Sequence, residues 1–311
     1  MKKIAYLFPG QGSQKVGMGK DLYEALDPAR QIFTAADAHT GLPITQLCFE
    51  GPMETLTQTV NLQPAVTAVN MACLAAIAGA GLAPAFCAGH SLGEYAALYT
   101  AGIVGAGDCL KLVFKRGELM HREATLNPGA MSAVVGLSID QVNRIVAETA
   151  SAGVVAVANH NSAEQIVITG SPEAVRQAGE QAVAAGGKAI ALKVSGAWHS
   201  PLIRGAEDEF RSFLESITFA RPKCRVLHNV TAAGSDDPQQ IRALMAGQLC
   251  SPVRWHEIIL KLIGEGVDVF VEIGPGKVLS GLLKKTLPPD SQAKVYNVSD
   301  LASAEKFLAS L

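Results

Sequence analysis

The run Gly89-His90-Ser91-Leu92-Gly93 constrains this chain more than any other, because it lies between an apolar strand candidate and a helix candidate. Pro84-Ala85-Phe86-Cys87-Ala88 precedes it, and Glu94-Tyr95-Ala96-Ala97-Leu98-Tyr99, of helix-forming composition, follows it. A strand that turns so abruptly into a helix needs residues without bulk at the turn. A serine at the apex is then lifted clear of the sheet, with a helix N-terminus beneath it. This is the sequence form of a nucleophile elbow. Read alone, the run is equally a glycine-rich turn with a capping serine, so the catalytic reading needs partners elsewhere in the chain.

A serine hydroxyl is a weak nucleophile without a base. Of the seven histidines, His199 has the best setting, in Val194-Ser195-Gly196-Ala197-Trp198-His199-Ser200-Pro201, where an apolar strand candidate gives way to a loop. Loops at strand ends commonly carry catalytic groups. His90 adjoins Ser91, but neighbours on a sharp turn point apart, so it reads as a supporting residue. His39, His121, His160, His228 and His256 read as ordinary surface or core histidines. For an oxyanion, the N–H of Leu92 is one natural donor, and a second must come from another loop. The first strand candidate, residues 3–8, runs into Pro9-Gly10-Gln11-Gly12-Ser13-Gln14, whose glycines allow close approach to a ligand. That loop is also readable as a simple turn.

Phe8-Pro9-Gly10-Gln11-Gly12-Ser13-Gln14, Gly89-His90-Ser91-Leu92-Gly93-Glu94-Tyr95, Arg116-Gly117, Gly196-Ala197-Trp198-His199-Ser200 and Glu272-Ile273-Gly274-Pro275-Gly276 together resemble malonyl-CoA:acyl carrier protein transacylases. The blocks come in that family's order and cover nearly the whole chain. The resemblance implies Ser91 as nucleophile, His199 as base, and the backbone amides of Gln11 and Leu92 as oxyanion hole. It further implies Arg116 as partner of the malonyl carboxylate, with Gln11 beside it in the substrate site, and the Gln248 main-chain carbonyl as the group that orients His199. Many relatives carry phenylalanine where this chain has Trp198, a departure expected to narrow or reshape the acyl pocket and to bear on which extender unit is preferred.

The chemistry fits these residue types. Exchange of an acyl group between two thiols is served by a transient oxygen ester on serine, with an imidazole shuttling the proton in both half-reactions. The planar fork of Arg116 suits a carboxylate, although a lone arginine in a helix ordinarily faces solvent. A neutral carbonyl behind His199, in place of an aspartate, would spare an anionic substrate a repelling charge.

The expected function is therefore malonyl transfer from malonyl-CoA to acyl carrier protein for fatty acid synthesis. A free-standing loader of a polyketide or polyunsaturated fatty acid synthase is a near variant. Hydrolysis is the second class, by an ordinary esterase or by an acyl-carrier-protein acyl hydrolase of the same fold. The esterase version lacks an evident triad acid, and the clearing hydrolase has no use for a carboxylate clamp. A non-catalytic carrier-binding module is the third class, and Ser91 with His199 argues against it.

Composition agrees with an enzyme able to bury a large core: 311 residues, 49% hydrophobic and 17% charged. A net charge of -2 gives no case for nucleic acid. The six cysteines lack C-x-x-C or metal-ligand spacing, so no metal site, no cofactor and a reducing cytoplasm are expected. Carrier proteins of this pathway are usually acidic, which makes Lys277, Lys284 and Lys285 weak candidates for a basic patch; a solvated helix face is the better explanation of the last two. The apolar stretch after Lys2 and Lys3 stops at Pro9 after about five residues, short of the roughly 7 to 15 of a signal peptide. Residues 64–86 are the one candidate membrane span, but Asn70, Gly79, Gly81 and Pro84 favour a buried helix followed by a turn. No membrane association is expected, and a monomer is.

Residues 130–194 read as strand (130–137), helix (139–149), strands (154–158 and 165–169), helix (172–185) and strand (188–194). That β-α-β-β-α-β order is the ferredoxin-like unit. The strand-to-helix transitions at Phe8, Ala88 and Ile273 suit a mostly parallel sheet covered by helices. The expected α/β fold is thus an α/β-hydrolase-like large domain, residues 1–128 and 196–311, with an inserted ferredoxin-like domain, residues 129–195. The active site should lie in the cleft between them.

Overall fold

The computed structural model describes residues 2–194 and 196–310; Ser195, in the expected approach to His199, lies outside the described residues. In chain order the strands are β1 Ile4–Phe8, β2 Phe86–Gly89, β3 Ala130–Val135, β4 Val155–Ser162, β5 Gln165–Gly170, β6 Lys188–Ala191, β7 Arg225–Leu227, β8 Val269–Ile273 and β9 Lys294–Val298. They form two sheets, ordered β7-β2-β1-β8-β9 and β4-β5-β3-β6.

The first sheet is parallel throughout. Its central strands β1, β2 and β8 are buried along their whole length, as a sheet covered on both faces requires. Side chains alternate between the faces: Ile4, Tyr6 and Phe8 enter one apolar core, and Ala5 and Leu7 enter a second with Trp255, Ile258, Leu262 and Leu279. The first core is filled by the helices Thr59–Ile77 and Ala106–Leu126. Thr59–Ala80 is long and apolar enough to cross a membrane, yet 72% of its most apolar window is buried inside the protein. In the helix Ala106–Leu126, Cys109, Val113, Arg116, Met120 and Glu123 share the buried stripe. Arg116 therefore faces inward. A Cβ on Gly117 would stand 2.9 Å from the Thr59 carbonyl oxygen, so the two helices meet closely.

The second sheet is antiparallel, and with the helices Ile139–Thr149 and Pro172–Ala184 it has the ferredoxin-like order read from the sequence. Two elements differ from expectation. The last strand ends at Ala191, and the chain leaves the sheet after one more bond, from Leu192 N to Met131 O. The strand expected over 154–158 continues to Ser162 through two register shifts. The polar run Asn159-His160-Asn161 hides that continuation. It pairs with β5, Asn159 with Val167 and His160 with Ile166, and on its other side Val253 N donates to Ala158 O at 2.8 Å while His160 N donates to Val253 O at 2.9 Å. These two bonds join the small sheet to the segment that follows Gln248.

Candidate active site

Ser91 occupies the turn between β2 and the helix Gly93–Thr100 with φ 51°, and His199 has φ 59°. Left-handed backbone is costly for a side chain other than glycine. The elbow glycines serve close approach instead. A Cβ on Gly89 would lie 2.0 Å from the Gly93 carbonyl carbon, and one on Gly93 would lie 2.0 Å from the Phe8 oxygen.

Ser91 Oγ lies 2.7 Å from His199 Nε2, while His199 Nδ1 is 3.0 Å from both the Gln248 and the Ser251 carbonyl oxygens. Two carbonyls can only accept, so Nδ1 carries the proton and Nε2 presents a lone pair to the Ser91 hydroxyl. His199 is buried, and its pKa is pulled down to about 3, by burial first and then by the Arg116 charge. It is thus a neutral acceptor at any ordinary pH.

Arg116 is buried in the same place. One terminal nitrogen donates to Ser91 Oγ at 3.2 Å and the other to Gln63 Oε1 at 3.0 Å; the guanidinium carbon lies 5.7 Å from the centre of the Tyr95 ring. Burial pulls its pKa down, with Tyr95 and Glu94 opposing. Its close partners are a carboxamide, a hydroxyl and a ring, with no carboxylate among them.

The loop after β1 lies against the elbow. A Cβ on Gly10 would stand 3.4 Å from Leu92 N. Asn70 Nδ2 holds this loop through Pro9 O at 3.0 Å, and Ser13 Oγ closes it on Gly10 O at 2.7 Å. Among the described residues, neither the Gln11 nor the Leu92 amide donates to a protein acceptor. Gln11, Ser91, Met120, Met131, Trp198 and His199 line a cavity of about 110 Å³, the volume of roughly four waters. A cleft of about 240 Å³ shares Gln11, His90, Asn159 and Leu192 with it and runs past Asn161 and Gln165 to Val278 and Leu282. Lys277 is exposed beside that outer end, and Lys284 and Lys285 are exposed further along the helix Val278–Thr286. His90 turns away from His199, bonding Asn161 at 2.8 Å, and Glu272 accepts from the amides of Leu279 and Ser280 at a helix start.

Residues 5–305 match the acyl transferase domain family. Over 313 aligned residues the chain is 42% identical to the malonyl CoA-acyl carrier protein transacylase of Bacillus subtilis, covering 100% of this chain and 98% of the relative. The malonyl CoA-acyl carrier protein transacylase of Staphylococcus aureus is 40% identical, with 92% of each chain covered. The chain belongs to the malonyl-CoA:acyl carrier protein transacylase family. An acyl carrier protein S-malonyltransferase from Vibrio cholerae has the same fold, with a TM-score of 0.93 at 39% identity over 98% of this chain and 99% of that one. A malonyl-transacylase solved in complex with a type II PKS acyl-carrier protein superposes with a TM-score of 0.94 at 37% identity, covering 99% and 100%.

In this acyltransferase, several residues at the site escape a reading of the sequence. Gln63 orients Arg116, and its signal is weak, one of three buried carboxamides with Asn61 and Asn70 in a mostly apolar helix. Asn229 Oδ1 accepts from Ser91 N at 2.7 Å, and its Nδ2 donates to Gly89 O at 2.7 Å. Ser251 supplies the second carbonyl to His199, and no local pattern marks it.

Proposed function

We propose that this chain transfers the malonyl group from malonyl-CoA to the phosphopantetheine thiol of holo acyl carrier protein through a malonyl ester on Ser91. The observation that carries this reading is the Arg116 guanidinium, buried 3.2 Å from Ser91 Oγ, which lines the small cavity, and bonded to no carboxylate among the described residues. A malonyl carboxylate supplies the missing partner through a two-pronged, charge-assisted contact. Acetyl has nothing to offer there.

In the first half-reaction Ser91 Oγ attacks the thioester carbonyl while His199 Nε2 takes its proton. The amides of Gln11 and Leu92 receive the oxyanion, each contributing on the order of 3 kcal/mol. The C–S bond then breaks and His199 returns the proton to the CoA sulfur. The carrier thiol reverses these steps, giving its proton to His199 and leaving it on Ser91 Oγ. The Gln248 carbonyl keeps the imidazole in the tautomer both halves need. The two thiols enter in turn along the adjoining cleft, so the kinetics are ping-pong.

No resident cofactor is needed by this scheme. An acidic carrier would meet Lys277, Lys284 and Lys285 at the cleft's outer end. The large domain, residues 1–128 and 196–311, bears the reacting groups, and residues 129–195 form the opposite wall; the protein acts as a cytoplasmic monomer. Incubation with malonyl-CoA and holo carrier, with free malonate and malonyl-carrier quantified together, tests the reading. Malonyl-carrier should dominate, and a predominance of free malonate would make the protein a hydrolase.

A further inference from the structure

The buried carboxylate of Glu94 accepts hydrogen bonds from three residues, two of which hold the reacting pair. Its Oε2 takes Gln248 Nε2 at 2.6 Å and Asn229 N at 3.3 Å, and its Oε1 takes His228 Nδ1 at 2.8 Å. Each partner but His228 reaches onward to the elbow. Gln248 Nε2 also donates to Ser91 O at 3.1 Å, and Asn229 grips Ser91 N and Gly89 O. Gln248 in addition turns its own carbonyl to His199 Nδ1. One carboxylate thus ties the nucleophile's backbone and the base's acceptor to a single point.

We infer that Glu94 is the positioning residue of this site, holding Ser91 in its left-handed conformation and setting Ser91 Oγ against His199 Nε2. The inference rests on the reading of Ser91 as nucleophile and His199 as base. Two facts favour a carboxylate at this position. Strained backbone persists only where its surroundings over-determine it, and both backbone atoms of Ser91 that face this cluster are engaged by residues Glu94 holds. Gln248 Nε2 and Asn229 N can only donate, and a carboxylate accepts from His228 Nδ1 as well, whereas a carboxamide turns an N–H to one of these groups and either meets a donor or forces His228 into its other tautomer. The position on the helix adds support: Glu94 lies in the first turn of Gly93–Thr100, where the helix dipole favours an anion.

Glu94 also explains how the site does without a triad aspartate. The charge stands behind Gln248, and the neutral carbonyl, not the carboxylate, meets the imidazole. An anion bound at Arg116 then has the guanidinium in front of it and the carboxylate one residue further back.

The test is the rate of ester formation from malonyl-CoA in the parent protein, Glu94→Gln and Glu94→Asp. Ser91 labelling by a small fluorophosphonate, which makes no demand on Arg116, is followed in parallel. In folded Glu94→Gln both rates should fall about 10- to 100-fold while KM for malonyl-CoA stays within about twofold, the behaviour of a misplaced reacting group. Glu94→Asp, a methylene too short to reach every partner, should show the same split to a lesser degree, and it carries the test if the glutamine variant does not fold. Retention of kcat within about twofold in a folded variant, or a loss expressed in KM with fluorophosphonate labelling unchanged, overturns the inference. Absence of a Ser91 adduct in the parent protein would instead defeat the nucleophile reading, so the two failures are distinct.

Discussion

The two walls of the cleft are built differently. On the parallel-sheet side, β2 is buried throughout and the elbow packs backbone on backbone at Gly89 and Gly93. There Ser91, Asn229, Gln248 and Glu94 bond one another at 2.6 to 3.3 Å. On the other side stands an antiparallel sheet whose edge strand β6 is largely exposed, with Ile190 54% accessible, and whose β4 shifts register twice beside the cavity. On the proposed reading, the chemistry falls to the tightly bonded wall and contact with the thiol arm to the more exposed one.

Variants on the rigid wall should hit rate, and those on the other should hit binding. The largest effect belongs to Ser91→Gly, which should abolish ester formation yet raise unfolding stability by about 1 kcal/mol, because glycine adopts positive φ without penalty. Denaturant titration beside intact-protein mass measures both; a stability loss would mean the elbow holds no strain. Next is Arg116→Ala, expected to lower malonyl loading by about 100-fold or more and to erase the preference for malonyl- over acetyl-CoA. An unchanged preference would remove Arg116 from substrate choice.

A smaller effect is thermodynamic. His199 titrates near 3 in the folded protein against an ordinary value of 6.5, so only the unfolded chain binds that proton between these pH values. Its contribution to stability is complete above pH 6.5 and declines as pH falls toward 3, by at most about 1.4 kcal/mol per unit. Compared with His199→Asn, the parent should therefore lose about 2 kcal/mol more between pH 7 and pH 5 in urea titrations; parallel losses would contradict a neutral, buried imidazole. The smallest change is on the adjustable wall. Asn159→Ala should raise KM for malonyl-CoA about threefold and leave kcat within twofold, and a kcat loss of the size expected for Glu94→Gln would erase the distinction between the walls. Gln248→Glu is a poor probe of charge near His199, because its carboxylate would meet that of Glu94.

Local signals carried much of the fold. The elbow, the buried first strand and the β-α-β-β-α-β order were legible because each depends on neighbours a few residues apart. The inward turn of Arg116 came from the family resemblance and not from its helix, where a lone arginine ordinarily faces solvent; in the structure it shares a buried stripe with Val113 and Met120. The end of β4 was not legible, since Asn159-His160-Asn161 lacks strand character, its pairing with β5 passes through two register shifts, and its other side is bridged by the distant Val253. Nor was the Glu94 cluster, which joins residues 134 to 154 positions apart by side-chain bonds that leave no period in the sequence. His228 shows the limit well: read only as an ordinary surface or core histidine, it is fully buried, and its partner Glu94 was visible only as part of the elbow's flank.

The central claim is that Ser91, His199 and Arg116 act on one acyl group, and intact-protein mass spectrometry tests it most directly. Brief exposure to malonyl-CoA should add a single malonyl group that is absent from Ser91→Ala, does not form from acetyl-CoA, and moves to holo acyl carrier protein when that is added. An adduct that persists in Ser91→Ala, or one released only as free malonate, would contradict the account.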